Sequence, residues 1–167
     1  MSFFPSEDYK IPSNSNFMKF VDGKNKFRVL SSAIVGYEYW NTENKPIRSR
    51  TPFDEMPDDI KVEKDGKTRI NHFWAFVVWN YEEKRVQVLE VTQKTVMGAI
   101  KAYVDNEAWG DPQGYDFVVT RSGSGFDTEY QIIANPHSPV SEEIQKVHDA
   151  KIIHLEALYE GKDPFAP

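Results

Sequence analysis

The chain has 167 residues, a formal net charge of −6 and no cysteine, with 40% hydrophobic, 14% aromatic and 28% charged residues. That length suits one domain with extensions, and the apolar share excludes a wholly disordered chain. The missing cysteine excludes a disulfide framework, a cysteine nucleophile and a thiolate zinc site and suits a cytosolic setting. No run approaches 18 apolar residues and residues 1–8 lack a basic region followed by an apolar one, so neither export nor a membrane span is expected.

Along the chain, residues 1–25 are rich in Ser, Asn, Pro and Lys, with scattered aromatics at Phe3, Phe4, Tyr9, Phe17 and Phe20, and read as an extended arm. From Lys26 to Trp40 the run KFRVLSSAIVGYEYW is β-branched and aromatic, which predicts one long, bent strand with Gly36 as its bend or bulge and with Phe27, Val29, Ala33, Val35, Tyr37 and Tyr39 on one face. Residues 41–71, with three prolines and Gly66, predict a long loop. His72–Trp79 and Arg85–Val91 predict a hairpin, apolar on both faces. Thr92 is the expected N-cap of a helix of about fourteen residues, carrying Val96, Ala99, Ile100, Tyr103 and Val104 on one stripe. Two alternating strands follow, Tyr115–Arg121 and Thr128–Ala134, across the turn Ser122-Gly123-Ser124-Gly125. Ser138-Pro139 then opens a C-terminal helix over Ser141–Tyr159.

The predicted order is β–β–β–α–β–β–α. The fold class this implies is mainly β with added α: a five-stranded OB-fold barrel with a helix between strands 3 and 4 and a C-terminal helix. The expected division is an arm over 1–25, the barrel over 26–137, and a helix with a short tail over 138–167.

No catalytic constellation stands out. None of the four histidines forms an i, i+4 metal pair; GxSxG, GxxxxGK[ST] and GxGxxG are absent; and the acidic pairs Asp58-Asp59, Glu82-Glu83 and Glu142-Glu143 fall where solvated carboxylates are ordinary. Neither enzyme activity nor a cofactor or metal is expected. A nuclease, the enzyme rival, lacks a convincing carboxylate cluster.

The charge, however, is unevenly spread. Residues 1–104 hold 16 basic against 14 acidic residues and 105–167 hold 4 against 12, while 9–50 alone hold 8 against 3. Where the chain is basic it is also aromatic. A sequence-tolerant binder of single-stranded nucleic acid needs flat rings to stack on bases and cations to neutralise phosphates. Two segments supply both: Tyr37, Tyr39 and Trp40 followed by Lys45, Arg48 and Arg50, and Phe73, Trp74, Phe76 and Trp79 with Lys84 and Arg85 at the hairpin tip, where Trp74 and Phe76, from the bulkier alternate set of the 72–79 strand, are expected to face the groove. About half of the strand aromatics must face the core. Trp40, followed at once by polar sequence, is the aromatic most expected at the surface.

The segments YKIPSNSNFMKF, KFRVLSSAIVGYEYW, KPIRSR, HFWAFVVWNYEEKRVQVLEVTQKTV and WGDPQGYDFVVTRSGSGFDTEYQI resemble the single-stranded DNA-binding replication proteins of tailed bacteriophages, the group similar to the T4 helix-destabilising protein. The resemblance spans residues 9–137. It implies an OB-fold that coats single-stranded DNA during phage replication, recombination or repair, without catalysis, in the cytoplasm of the infected bacterial host. The Cys/His zinc subdomain of the T4 protein has no counterpart in this cysteine-free chain. Instead of a long acidic tail the sequence ends in Asp163-Pro164-Phe165-Ala166-Pro167, similar to the acidic-plus-Phe tips of bacterial single-strand binders, which makes the acidic C-terminal region the candidate for recruiting phage polymerase or helicase. The rival reading is an OB-fold protein-interaction module of a replication complex, its aromatics forming an apolar contact patch.

Overall fold

The computed structural model describes residues 3–7 and 15–167. Residues 1, 2 and 8–14, including Tyr9 of the expected arm, lie outside the described residues. The strands are β1 (Phe17–Met18), β2 (Gly23–Val29), β3 (Ile34–Trp40), β4 (Pro46–Ser49), β5 (Asn71–Asn80), β6 (Arg85–Val91), β7 (Asp116–Ser122) and β8 (Glu129–Ala134). Helix α1 covers Lys94–Val104 and α2 covers Glu142–Asp149, with 3-10 turns at Pro112–Gly114, Gly125–Asp127 and Leu155–Glu160. All eight strands belong to one sheet with the path β1-β6-β5-β2-β7-β8, and β3 branches off β5 to carry β4. The protein is mainly β, and the sheet is not closed: among the described residues no ladder joins β8 to β6 or β1.

The strand expected over 26–40 is two strands on one partner. Both run antiparallel to β5, with Val29 opposite Val78 and Ile34 opposite Ala75. Five steps on one side therefore match three on the other, and the surplus bulges out around Ser31–Ala33. The side chain of Ser31 repairs the ladder: its hydroxyl accepts from the Val77 N–H at 2.9 Å, beside a Leu30 N–H bond to the Val77 carbonyl at 2.8 Å. The bend thus falls at Ser31–Ala33 and not at Gly36. Gly36 is glycine for a different reason, because a Cβ there would lie 2.4 Å from the Ser49 carbonyl oxygen and 3.0 Å from the Phe73 ring.

The bulge also ends the expected one-face alternation, since Phe27, Val29 and Tyr39 are buried while Ala33 and Val35 are exposed. The predicted loop over 41–71 contains β4 and a bridge from Asn41 to Ile60. The expected arm likewise joins the sheet, β1 pairing parallel with β6 through Phe17–Val88 and Met18–Leu89.

The two faces of β5 explain its unbroken apolar run. On the inner face Phe76 and Val78 meet Phe27, Val29, Leu89, Phe117 and the α1 residues Val96 and Ile100. On the outer face Val77 and Trp79 meet Ile144 of α2, while Phe73 and Ala75 meet Leu158 of the C-terminal 3-10 turn. Helix α1 is eleven residues long with Gln93, not Thr92, at its N-cap.

The expected C-terminal helix is shorter than the pattern suggested. Ser141 caps α2, its hydroxyl accepting from the Ile144 N–H at 3.3 Å, but the helix stops at Asp149. Unwinding over 150–154 turns Ile152 out to solvent and lets Ile153, Leu155 and Leu158 all pack on the outer face of β5. Gly161, at φ +68°, then reverses the chain.

Candidate nucleic-acid interface

The clearest candidate site lies on the outer face, where the end of β3 meets β1 and the C-terminal 3-10 turn. There a cleft of about 720 Å³ is bordered by Lys19, Trp40, Lys45 and Lys162, with Arg48 and Glu90 along its floor. Trp40 is 43% exposed at its lip. It is held by β3–β4 pairing opposite Pro46, and Lys45 is placed by Asn41, whose side-chain oxygen accepts from the N–H groups of Glu43 and Lys45 at 3.0 and 2.9 Å. Lys45 lies 3.8 Å from Glu43 and Lys162 lies 3.4 Å from Glu160, all four side chains well exposed. Such surface pairs are weak and leave the ammonium groups able to meet another anion. With Arg48 and the acids Glu90 and Asp163 counted, the cleft carries four cationic and two acidic side chains.

The floor is a buried ion network. The Arg48 guanidinium donates to Glu38 Oε2 at 3.2 Å and to Glu90 Oε2 at 2.8 Å, and its side chain is only 9% exposed. Burial pushes the Glu38 carboxyl up to about 8; hydrogen bonding and repulsion from Glu90 add to this, and Arg48 offsets part of it. Two carboxyl groups thus share one guanidinium, and its charge serves the sheet.

The sequence-predicted residues divide accordingly. The structure brings Trp40 and Lys45 together over Arg48. Arg85 donates to Asn16 Oδ1 at 3.1 Å, and Asn16 belongs to the cleft wall, so Arg85 borders its far edge. Arg50 is exposed and lies over the Tyr159 ring, 4.3 Å from its centroid, on the turn that backs the cleft. Lys84 is exposed at the β5–β6 turn with φ +53°.

The other aromatics lie elsewhere. Tyr37 is half-buried beside the His72 ring, and Tyr39 is buried, donating its hydroxyl to Asp59 at 2.8 Å. Val35 pairs with Trp74 in β3–β5, and Trp40 is five residues on from Val35, so Trp74 and Phe76 point to the face opposite the cleft. Phe76 is core; Trp74 is half-buried at the mouth of a second, apolar cavity.

Three further residues escaped sequence reading. Lys19 and Lys162 reach the cleft only because β1 pairs with β6 and because the chain turns back at Gly161, and no local pattern announces either. Phe126 is 98% exposed at the β7–β8 tip; an aromatic within a glycine-rich turn was a signal that could have been read. The Asp163-Pro164-Phe165 tip is folded in: the His154 N–H donates to the Pro164 carbonyl at 2.7 Å, and Phe165 packs half-buried near Leu158. Among the described residues no helix is long and apolar enough to cross a membrane, and no three His, Asp or Glu side chains could hold a metal ion.

One curated protein is similar. The chain is 25% identical over 142 residues to the "Probable ssDNA-binding protein" of Escherichia phage T5. That match takes in 70% of this chain and 53% of the T5 protein, so the chain spans about half the length of the relative it matches. No family model and no solved structure matches it.

Proposed function

We propose that this chain is a non-catalytic, phage-encoded protein that binds single-stranded DNA without sequence preference during replication, recombination and repair in the infected cell. The observation that carries the reading is the cleft in which exposed Trp40 stands among Lys19, Lys45 and Lys162. A base stacks on the indole while the ammonium groups neutralise the phosphates on either side. The name of the T5 relative points the same way, as does the resemblance to the T4 helix-destabilising group.

The OB-fold part of the proposal rests on element order. With the bulged β2–β3 counted as one strand, the order β2–β3, β5, β6, α1, β7, β8 is that of a five-stranded, partly open OB barrel with its helix between strands three and four. β1 and β4 are then additions that build the cleft. Lys45, Trp40, Lys19 and Lys162 are the proposed contacts, with Arg50 and Arg85 at the margins. Arg48 supports the floor, and residues 161–164 form a wall.

Oligo-dT titration followed by tryptophan fluorescence tests this. Trp40→Ala should weaken binding about five- to a hundredfold, the loss of one stacked base. With three lysines engaged, the logarithm of affinity should fall with the logarithm of salt at a slope of about −2. Binding that ignores both the substitution and salt would instead favour the protein-interaction reading.

A further inference from the structure

Residues 146–156 read KVHDAKIIHLE, with His148, Lys151 and His154 three apart. On a continuing helix they would drift around one stripe. Instead α2 stops at Asp149, and the unwound chain sets all three around a hollow of about 460 Å³ on the outer face, closed on the sheet side by Ser31 of the bulge and by Ile34. The backbone there is fixed: the Lys151 N–H donates to the His148 carbonyl at 3.0 Å, and the His154 N–H donates to the Pro164 carbonyl at 2.7 Å. The side chains, by contrast, are not used by the fold. Among the described residues no hydrogen bond or ion pair engages the His148 imidazole, the Lys151 ammonium or the His154 imidazole. Glu156 is the one acid in the lining. Each imidazole has a ring N–H in either charge state, and the ammonium has three, so the hollow is rich in donors and suits an anion with several oxygens. Ile34, Ile153 and Leu155 add an apolar wall, which suits the sugar and base that a nucleic-acid phosphate brings with it.

This hollow and the Trp40 cleft flank the same 3-10 turn, Leu155 and Glu156 bordering the one and Leu158 the other. Both lie on the outer face of β3, where Ile34 and Trp40 are six residues and so about 20 Å apart. Midway, Tyr159 covers Gly36 and donates its hydroxyl to the Val35 carbonyl, and exposed Arg50 lies over its ring. A line of cations therefore follows the turn: Lys45 and Lys162 in the cleft, then Arg50, then Lys151. About 20 Å is the run of about six phosphates in a stacked strand, and of fewer in an extended one.

We propose that the hollow ringed by His148, Lys151 and His154 is a second phosphate site, which receives the backbone of a single strand leaving the Trp40 cleft past Arg50. It rests on the proposed single-strand binding and deepens it, because it gives the strand a path along the C-terminal turn and sets how much of it one copy covers. The C-terminal segment is then part of the binding surface as well as a cover for the outer face of β5.

Two dT strands, of about three and about twelve nucleotides, separate the two sites, because only the longer one reaches from Trp40 to the hollow. Both are titrated with strand in excess, so that one copy binds per strand, at about 0.15 M salt. Lys151→Glu, and His148→Ala combined with His154→Ala, should each weaken the longer strand about tenfold, the loss of a charge-assisted contact. The shorter strand should stay within about twofold, since the hollow is more than a Debye length of about 8 Å from Trp40. Lys151→Arg, still cationic, should bind both strands as the wild type does, whereas Trp40→Ala should weaken both. Unchanged binding of the longer strand in Lys151→Glu and in the histidine pair would overturn the second site and leave the cleft standing. An equal loss on both strands would overturn it too, because the effect would not be local. Inorganic phosphate that shifts the His148 and His154 proton resonances, with no effect of the variants on the longer strand, would make the hollow a free-anion site and reject the path. A wild type that bound neither strand would remove the function and this site together.

Discussion

Replacing Arg48 by Met separates support of the cleft from contact with DNA. The guanidinium is the only cation that bonds both Glu38 and Glu90 among the described contacts, and all three side chains are at least four-fifths buried. Glu38, pushed up to about 8, is mostly protonated at neutral pH and can donate to Glu90. Losing Arg48 therefore strands about one buried negative charge, not two. Breaking such a pair costs about 3–5 kcal/mol, and with one carboxyl already neutral and Glu90 partly exposed the lower end, about 3 kcal/mol, is expected. With an unfolding slope of about 2 kcal/mol per molar urea, the urea midpoint should fall by about 1.5 M. Oligo-dT affinity, measured where the variant is folded, should stay within about twofold. Arg48→Met combined with Glu90→Met should recover part of the stability, because no unpaired ion is left behind. An unchanged midpoint together with a tenfold loss of affinity would refute this account and return Arg48 to the phosphates.

Other consequences can be measured on the same protein. Because Glu38 holds its proton up to about 8 in the folded chain and only to its ordinary 4.5 when unfolded, stability should fall as pH rises between those values and level off above them. Urea midpoints at about pH 6, 7 and 8 should show the decline, and Glu38→Gln should flatten it. Gly36→Ala forces a Cβ against the Ser49 carbonyl, so it should cost on the order of 2–3 kcal/mol and lower the melting temperature by about 5–10 °C. Ser141→Ala removes the α2 cap and should cost about 1 kcal/mol, read from the same melts, with no effect on oligo-dT binding.

What could be read in the sequence followed from local chemistry. The hairpin of β5 and β6, the strands β7 and β8 and the stripe of α1 all came out near their true bounds, because alternation or helical spacing there coincides with burial. The bulge did not, since KFRVLSSAIVGYEYW is uniformly β-forming and the choice of Ser31–Ala33 depends on what Val77 pairs with. The C-terminal helix failed for a related reason: its apolar spacing is helical, but the outer face of β5 is better covered by an unwound chain. The site shows the same division. Trp40 stood out because polar residues follow it directly, and Lys45 stood near it in sequence. Arg48 is as basic in sequence as Lys45; only the fold reveals that Glu38 and Glu90, ten residues before it and forty-two after, meet its guanidinium. Lys19 and Lys162 arrive from opposite ends of the chain and had no local sign.

The most direct test of the central claim is one titration of wild type and Trp40→Ala with oligo-dT and with duplex of the same length, at two salt concentrations. The account predicts that the wild type prefers the single strand, that binding weakens with salt at a slope of about −2, and that the variant, still folded, loses at least about fivefold in affinity. Equal affinity for duplex and single strand, or a variant that binds as tightly as the wild type, would contradict it.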